Sequence, residues 1–535
     1  MFVEKPKRKS WQNLVMAFSM ANLALYSLWS FLEIHTNSLL SQYENESPYP
    51  ATYIAMLTYL IAVTFLFHKA LSWSQNRNVG ARFAGKTLVT IGALFILNTL
   101  RQLLRAKTGF EIFSFSYLRS ELGLWGGVPL LLAFMGALFY GMARYRQPLL
   151  STTRFFLHLM FPVAVFHAGW VGYKLVTDDY GPTKQMAPVA ASASPQRRVV
   201  FVVFDTMEER SSFSHRVAGL ELPNFDAFRA QSFYGTQVYS PGARTQYSLT
   251  AFITGRMIEK AVPESGNDLW VTFSGEDHPE RFSNLPTVFT ESHGMGMRSA
   301  LVGWYHPYCR MLGYSMNSCH YFSANEPNEM RPRKTLGANL SMFGSRILGT
   351  HPKYHPVVGA FERILEQGKK DAANPDYNLV FLHFPVPHLP GIYDRKTETL
   401  AYRGEAPSSE EHFWGNLALS DRALGEIRSE MEKTGVWETS AVILTSDHWW
   451  WHGEPSNQIY RPDGTLDYRV PLMVKLPHEK VGLEYKAPFN NVLVHDLMLD
   501  LLRNEIPNAE ALKAWVDQKR GTTPLYPLIK TNIYG

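Results

Sequence analysis

The 535-residue chain has little cysteine and no strong excess of charge of either sign. Its 52 Lys and Arg residues oppose 47 Asp and Glu residues, and the formal net charge of +5 is spread along the chain. This balance gives no reason to expect a nucleic-acid partner. The two cysteines, Cys309 and Cys319, stand ten positions apart. Such a pair fits a disulfide, two free thiols or half of a metal site.

Charged residues are also scarce in five long stretches of the N-terminal part. Each stretch is long and apolar enough to cross a bilayer. Because such runs continue well beyond the first, a signal peptide does not account for them. We therefore predict a transmembrane domain over residues 1–181, with helices at residues 15–32, 51–72, 86–104, 122–143 and 155–176.

The basic residues of the short loops predict how these helices are oriented. Four of the first nine residues are Lys or Arg, whereas the first loop has Glu33, Glu44 and Glu46 and no basic residue. We expect a cytoplasmic N-terminus and, after five crossings, an extracytoplasmic C-terminal domain. That location favours the disulfide for the two cysteines. The third loop is basic although it should lie outside, so it either contacts anionic headgroups or is an exception to a statistical rule.

The rest of the chain is expected to hold a linker, residues 182–198, and one soluble domain, residues 199–535. The linker is small, polar and proline-containing. The run from Val199 to Phe204 is apolar on both faces, as a central parallel strand requires. Strands alternate with helical patterns thereafter, which predicts a mostly parallel sheet covered by helices on both faces. The further strands are expected at residues 299–302, 379–384, 441–444 and 470–474, and the longer helices at residues 357–368, 413–434 and 492–502.

Polar residues follow two of these strands directly. Asp205 ends the first strand, and Asp447 and His448 follow the strand at residues 441–444. Open α/β sheets place their chemistry beyond the carboxyl ends of their strands. Carboxylate oxygen and imidazole nitrogen are also common zinc ligands. The sequence therefore points to a metal site at this edge of the sheet.

Several motifs of the soluble domain resemble the alkaline phosphatase superfamily, specifically its sulfatase and phospho-headgroup transferase branch. The resemblance implies an α/β/α sandwich with a mostly parallel central sheet. The motifs recur in the family's order as Val203-Phe204-Asp205-Thr206, Ala243 to Ser248 with Thr254-Gly255-Arg256, Ala300 to His306, His383 to Pro390, and Thr445 to His448.

The resemblance implies that Thr245 is the nucleophile. In sulfatases the modified cysteine lies nine residues before a Thr-Gly-Arg segment, and counting back nine from Thr254 reaches Thr245. A threonine hydroxyl needs activation by metal or base, and a helix start favours the anion it attacks. Ser248 is the alternative nucleophile, and a plain N-cap role for Thr245 stays open. Threonine does not suit formylglycine chemistry; it resembles the phosphoethanolamine transferases and lipoteichoic-acid synthases, which also carry about five N-terminal spans.

The same resemblance implies one divalent metal held by Asp205, Thr245, Asp447 and His448. Zinc is the first expectation, with manganese, magnesium and calcium as alternatives. The resemblance also makes His306 and His388 catalytic, through contacts to phosphoryl oxygens or protonation of a leaving group. His383, by contrast, fits a core histidine better.

Three features depart from the family's pattern. Thr206 replaces the second acidic residue that often follows Asp205, and Trp304 replaces a lysine that would contact an anionic substrate. Trp449, Trp450 and Trp451 follow His448 where a glycine is usual; they either line a substrate wall, reach the membrane interface or cap the sheet. His452 either replaces a substrate-binding histidine or has no such role.

These features together predict a monomeric phosphotransferase of the bacterial cytoplasmic membrane, with its catalytic domain on the extracytoplasmic side. It would move a phospholipid headgroup, such as phosphoethanolamine, to a cell-envelope lipid or glycan through a phospho-threonine intermediate. One alternative is a membrane-bound sulfatase-like hydrolase or phosphodiesterase with water as acceptor. The other is a non-catalytic envelope protein that keeps the fold for binding.

Overall fold

The computed structural model describes residues 6–26, 28–29, 50–75, 78–108, 144, 146–177, 197–265, 268–322, 335–348, 356–404, 410–450 and 467–525. These residues divide into two compact units. The helical unit comprises the described residues up to 177 together with residues 335–348. The α/β unit comprises the remaining described residues. Most of the predicted linker lies outside the described residues.

The helical unit is built mainly from apolar helices. Its first helices are α1 (Pro6–Ala24), α2 (Pro50–Trp73), α3 (Val79–Thr108), α4 (Arg146–Leu159) and α5 (Phe161–Thr177).

Three segments of this unit are long and apolar enough to cross a membrane: Pro50–Trp73, Val79–Arg101 and Gln147–Thr177. They correspond to the second, third and fifth predicted spans. The described part of the first predicted span lies mainly in α1, which is not among the three. The fourth predicted span, residues 122–143, lies outside the described residues. The number of described candidates is therefore three rather than the five predicted, and they indicate a membrane protein.

The α/β unit is organised around one large sheet. The strands of this sheet are β1 (Val199–Asp205), β2 (Phe233–Tyr239), β6 (Ser299–Gly303), β7 (Ser318–Tyr321), β8 (Leu379–Pro387), β11 (Ala441–Ser446), β12 (Arg469–Lys475), β13 (Leu483–Tyr485) and β14 (Phe489–Asn490). Their order in the sheet is β13-β2-β12-β11-β1-β8-β6-β7, with β14 also paired to β2. Neighbouring strands are parallel except at β11–β12 and β12–β2. The mostly parallel sheet is therefore confirmed.

Two small antiparallel sheets accompany it. One contains β3 (Ile258–Ser265), β4 (Asp268–Phe273) and β5 (Glu280–Arg281), and the other contains β9 (Gly391–Asp394) and β10 (Thr399–Gly404). The helices after residue 197 are α6 (Pro223–Arg229), α7 (Thr245–Thr254), α8 (Val288–Gly294), α9 (Tyr308–Met311), α10 (Leu336–Leu348), α11 (Pro356–Ala373), α12 (Glu410–Lys433), α13 (Val494–Arg503) and α14 (Ala509–Lys519). Of these, α10 belongs to the helical unit.

Helices cover both faces of the main sheet because the side chains of its buried strands alternate between two cores. Phe201 of β1 packs in one core, with side chains from α7, α8 and α13. Val202, the next residue, packs in the other core, with side chains from α6, α11 and α12. This three-layer packing confirms the predicted α/β/α sandwich.

A disulfide joins Cys309 of α9 to Cys319 of β7. The favoured one of the three alternatives for this cysteine pair is therefore confirmed. The bridge ties the segment after β6 to the edge strand of the sheet.

A buried side chain of α12 holds the segment that follows β8. Asn416 is fully buried, and its Oδ1 accepts a hydrogen bond from the backbone N–H of Ile392 at 2.9 Å. Its Nδ2 donates to the carbonyls of His388 at 2.8 Å and Pro390 at 2.9 Å. One amide thus satisfies three backbone groups of an irregular segment, which fixes the path of the chain around His388.

Replacing Asn416 with Leu should lower the thermal stability of the α/β unit. The substitution leaves these buried backbone groups without a partner, and each such group costs about 1–3 kcal/mol. We expect the unfolding midpoint, followed by tryptophan fluorescence, to fall by about 4–8 °C. Glu411→Ala is the control on the same helix, because this side chain is 66% exposed. An equal shift for the two variants would contradict the assignment.

Candidate active site

Three adjacent strands bring the predicted site residues to one edge of the sheet. β1 lies between β11 and β8, and all three are parallel. Phe204 is in register with Ser446, and Asp205 is in register with Pro387. The residues that follow these strands therefore emerge side by side.

Two carboxylates meet at this edge, and neither is exposed to solvent. Asp447 Oδ1 accepts hydrogen bonds from the backbone N–H groups of Thr206 at 3.0 Å and His448 at 2.8 Å. Asp205 Oδ1 and Asp447 Oδ2 have no hydrogen-bond partner among the described residues. Burial, together with the charge of Asp447, raises the pKa of Asp205 well above its ordinary value. Two such carboxylates require either a bound cation or a proton on one of them.

The hydroxyl of Thr245 points at this pair. Thr245 is the first residue of α7, after Arg244 in extended conformation, and it is 5% exposed. Its Oγ1 donates a hydrogen bond to Asp205 Oδ2 at 3.3 Å and lies 3.4 Å from His448 Nε2. A hydroxyl at a helix start, beside a carboxylate and an imidazole, is a typical arrangement for a nucleophile.

His448 completes the predicted ligand set. Its Nδ1 lies 2.9 Å from the carbonyl of Trp449, so Nδ1 carries the proton and donates it. Its Nε2 lies 3.5 Å from Asp447 Oδ2 and 3.7 Å from Asp205 Oδ1. The fold therefore brings all four predicted metal ligands, Asp205, Thr245, Asp447 and His448, into one cluster.

The same cluster contains His383, which the sequence suggested was a core residue. Its Nε2 lies 3.9 Å from Asp205 Oδ2, and ligand atoms of Asp205, His383 and Asp447 all lie within 4.8 Å of one another. Its Nδ1 contacts the Trp304 carbonyl at 3.2 Å and the Tyr308 hydroxyl at 3.0 Å. Burial lowers the pKa of His383 to about 4, so the ring is neutral near pH 7. The signal that identifies it is its register with Val203 on β1, which requires the strand pairing.

The two predicted catalytic histidines lie in different environments. His388 is partly exposed; its backbone N–H donates to the Asp205 carbonyl at 3.0 Å, and its Nδ1 bonds to the carbonyl of Leu389. Burial lowers the pKa of His388. His306 is buried and packs on Tyr305 and Tyr308, without a hydrogen bond to the cluster among the described residues. Burial lowers the pKa of His306 to about 3. The structure thus places His388 at the cluster and His306 beside it.

Two residues next to the site adopt left-handed backbone conformations. Thr206 has φ of 65° and Tyr305 has φ of 73°. A β-branched residue rarely adopts this region, and strain of this kind, about 1–3 kcal/mol, concentrates at functional sites. At Thr206 the strained backbone aims its N–H at Asp447 Oδ1. Thr206, which stands where the family often has a second acidic residue, thus holds the Asp447 carboxylate in place.

The described tryptophans after His448 are core residues. Trp449 is 2% exposed and packs in the core that contains Phe201. Trp450 is 6% exposed, lies in the opposite core and stacks on Phe413 at 4.1 Å. These two side chains therefore cap the sheet on its two faces, the third of the predicted alternatives. Trp451 and His452 lie outside the described residues.

The cluster fits a divalent metal. The described side chains offer two carboxylates with unpaired buried oxygens, and imidazole nitrogens whose opposite nitrogens face carbonyl groups. That second contact is the usual one for a metal-binding histidine, because it fixes the tautomer. The carboxylates of Asp205 and Asp447, the imidazoles of His448 and His383 and the hydroxyl of Thr245 are the groups that could hold it.

Several known proteins resemble this chain. The model of the sulfatase family matches residues 197–503, whereas no curated protein matches. A crystal structure of Ps i-CgsB in complex with k-i-k-neocarrahexaose has a TM-score of 0.43 at 13% identity, over 58% of this chain and 72% of that one. The crystal structure of the lipoteichoic acid synthase LtaP of Listeria monocytogenes has a TM-score of 0.38 at 12% identity, over 59% of this chain and 75% of that one. The crystal structure of a phosphonate monoester hydrolase of Agrobacterium radiobacter has a TM-score of 0.37 at 15% identity, over 58% of this chain and 74% of that one.

The family match is the comparison that decides the assignment. It covers more than half of the chain and includes every residue of the described cluster. Members of this family are enzymes that act on sulfate or phosphate esters. On this match, the chain belongs to the sulfatase family.

Proposed function

We propose that the chain is a membrane-bound, metal-dependent phosphotransferase. It moves a phospho-headgroup, of the phosphoethanolamine kind, from a phospholipid to a lipid or glycan of the bacterial cell envelope. Thr245 carries the headgroup between donor and acceptor as a phospho-threonine. The observation that carries the proposal is the Thr245 hydroxyl, 3.3 Å from Asp205 Oδ2 and 3.4 Å from His448 Nε2.

The identity of the nucleophile favours phosphoryl transfer over sulfate ester hydrolysis. A sulfatase converts a cysteine or serine at this position to formylglycine, and threonine does not suit that conversion. A threonine hydroxyl can instead attack phosphorus directly. The bond from Thr245 Oγ1 to phosphorus forms while the bond from phosphorus to the diacylglycerol oxygen breaks.

Each of the two steps moves a proton off the attacking hydroxyl and a proton onto the departing oxygen. The hydroxyl proton of Thr245 is directed at the Asp205 carboxylate, and the departing glycerol oxygen needs a proton. In the second step the acceptor loses its proton as it attacks phosphorus, and Thr245 recovers its hydroxyl. His388 is suited to give a proton to the departing oxygen and to take one from the acceptor. Its Nδ1 bonds to a carbonyl, so its Nε2 can alternate between donor and acceptor.

A divalent metal, with zinc as first choice, would be held by Asp205, Thr245, Asp447 and His448. His383 lies close enough to join or support this set. When bound, the metal would lower the pKa of the threonine hydroxyl and offset the negative charge of the phosphoryl oxygens. Manganese, magnesium and calcium are the alternatives.

The helical unit supports a lipid donor. Its three described apolar segments of membrane-spanning length would confine the enzyme to the surface that carries its substrate. The disulfide between Cys309 and Cys319 supports an extracytoplasmic location for the α/β unit, because disulfides persist in oxidising compartments. We expect the enzyme to act as a monomer in the cytoplasmic membrane.

Thr245→Ala should abolish turnover and the covalent intermediate. Wild-type enzyme, quenched with acid during turnover of phosphatidylethanolamine in proteoliposomes, should carry phosphoethanolamine on Thr245 by mass spectrometry. Ser248→Ala is the matched control on the same helix, because Ser248 Oγ donates to the Gly242 carbonyl at 3.1 Å instead of facing the cluster. The control should keep the adduct and most of the activity.

The same measurement separates the alternatives. Release of free headgroup with no acceptor modified would make the protein a hydrolase. Full turnover in the Thr245→Ala variant would exclude Thr245 as nucleophile. A purified protein without metal or activity would favour a binding role.

Removing the metal should abolish activity, and acid should weaken metal binding. Because the pKa of Asp205 is raised without a metal, this carboxyl binds a proton as the pH falls through that pKa, and the proton competes with the metal. Titration with zinc should therefore give a dissociation constant that rises as the pH is lowered. Asp447→Asn should bind less than one zinc per chain. Turnover that survives a chelator, with no metal in the sample by elemental analysis, would refute a metal enzyme.

His388→Ala should slow the reaction according to the leaving group. With an alkyl phosphodiester, loss of the proton donor should reduce single-turnover release by about 10²–10⁴-fold. A p-nitrophenyl phosphodiester leaves without a proton, so its release should fall by less than about tenfold. His306→Ala serves as the comparison, since His306 has no hydrogen bond to the cluster within the described part of the chain. Equal losses on both substrates would show that His388 does not act as the acid.

A further inference from the structure

The helix α10 stands apart from its neighbours in the sequence. The described segments before and after it, ending at Phe322 and beginning at Pro356, belong to the α/β unit. Residues 335–348, however, are part of the helical unit. The helix α10, although it lies within the C-terminal half of the sequence, therefore packs in the helical unit.

Specific contacts hold α10 against the N-terminal half of α2. Thr52 Oγ1 donates a hydrogen bond to Asn339 Oδ1 at 3.2 Å, and both side chains are fully buried. The Tyr59 hydroxyl donates to the Leu340 carbonyl at 2.7 Å, and its ring packs edge-on against Phe343. A Cβ added at Gly344 would lie only 2.8 Å from the Tyr59 hydroxyl, so a glycine permits this close approach.

The apolar stripe of α10 is longer than the surface that α2 covers. Leu336, Phe343 and Ile347 are separated by seven and four positions, a spacing that places them on one face of a helix. Phe343, in the middle of this stripe, is completely buried. Leu336 and Ile347, toward its ends, are 40% and 38% exposed. The two ends of the stripe thus present apolar surface beside a helix of membrane-spanning length.

The sequence around α10 is basic. Residues 331–355 contain five Lys or Arg residues and no Asp or Glu. A helix with an apolar face inside a basic segment is typical of elements that lie on a bilayer with anionic lipids, where each basic residue near the surface adds about 1 kcal/mol. The helix also meets α2 within three turns of the point where α2 begins, at Pro50, and the ends of a spanning helix lie at the bilayer surface.

We propose that α10 is an interfacial helix that docks on α2 and rests the ends of its apolar stripe, Leu336 and Ile347, in a surface of anionic phospholipid. It gives the α/β half of the chain a second attachment to the membrane, in addition to the connection that follows α5. The proposal concerns this attachment alone and does not depend on the reaction that the enzyme catalyses.

The test uses single fluorescent labels on the full-length protein in nanodiscs that contain phosphatidylglycerol. Leu336→Cys and Ile347→Cys carry the label, and the native cysteines do not react because they form a disulfide. Ser341→Cys is the control, because this exposed residue lies on the opposite side of α10 from the stripe. Brominated lipids should quench positions 336 and 347 at least twofold and position 341 little. Equal quenching at all three positions, or none at 336 and 347, would overturn the proposal.

A pair of glycine substitutions tests the docking on α2. Gly344→Leu forces a side chain against Tyr59, whereas a Cβ at Gly337 meets nothing within 4 Å. In the Ile347→Cys background, Gly344→Leu should reduce quenching by at least twofold and Gly337→Leu should leave it unchanged. If both variants quench like the parent, α10 reaches lipid without α2, and the proposal fails.

Discussion

The dominant interaction at the candidate active site is the electrostatic repulsion between two buried carboxylates. Oxygens of Asp205 and Asp447 lie within 4.8 Å of each other, and neither side chain is exposed. At an effective dielectric constant of about 20, two such charges repel by about 3–4 kcal/mol. A bound cation reverses the sign of this contribution, and a proton on Asp205 relieves it in the cation's absence. The chemistry of the site therefore rests on a pair of charges that the fold itself leaves uncompensated.

Much of the surrounding structure keeps these charges in place. Ser446 Oγ donates to the Phe204 carbonyl at 2.8 Å, which ties the ends of β1 and β11 together. Asn491 donates to Thr445 Oγ1 at 2.9 Å and to the Ser446 carbonyl at 3.0 Å. Asn416 holds the segment around His388 in the same way, because its amide donates to the His388 carbonyl. Buried amides and hydroxyls that bond to backbone groups thus make the strand ends rigid where the two cores meet.

The helical unit bears on function through the location of the substrate. Its apolar helices and the return of α10 to α2 both fit an enzyme whose donor is a membrane lipid. The disulfide and the basic segment around α10 fit the same setting, one through redox chemistry and the other through charge. The two units therefore support one proposed function by separate lines of physical evidence.

The sequence by itself determined the elements and most of the cluster. Apolar runs marked β1, β8 and β11, and Asp205 and Asp447 follow directly at their ends, because a buried strand must be apolar until it reaches the edge of the sheet. Only the tertiary structure decided which neighbours share that edge. His383 lies within an apolar strand, so only its register with Val203 beside Asp205 distinguishes it from a core residue. Trp449 and Trp450 became core residues for a similar reason, since packing on opposite faces of the sheet is a property of the assembled layers. The attachment of α10 to α2 was equally beyond local reasoning, because its partners lie more than 280 positions away in the chain.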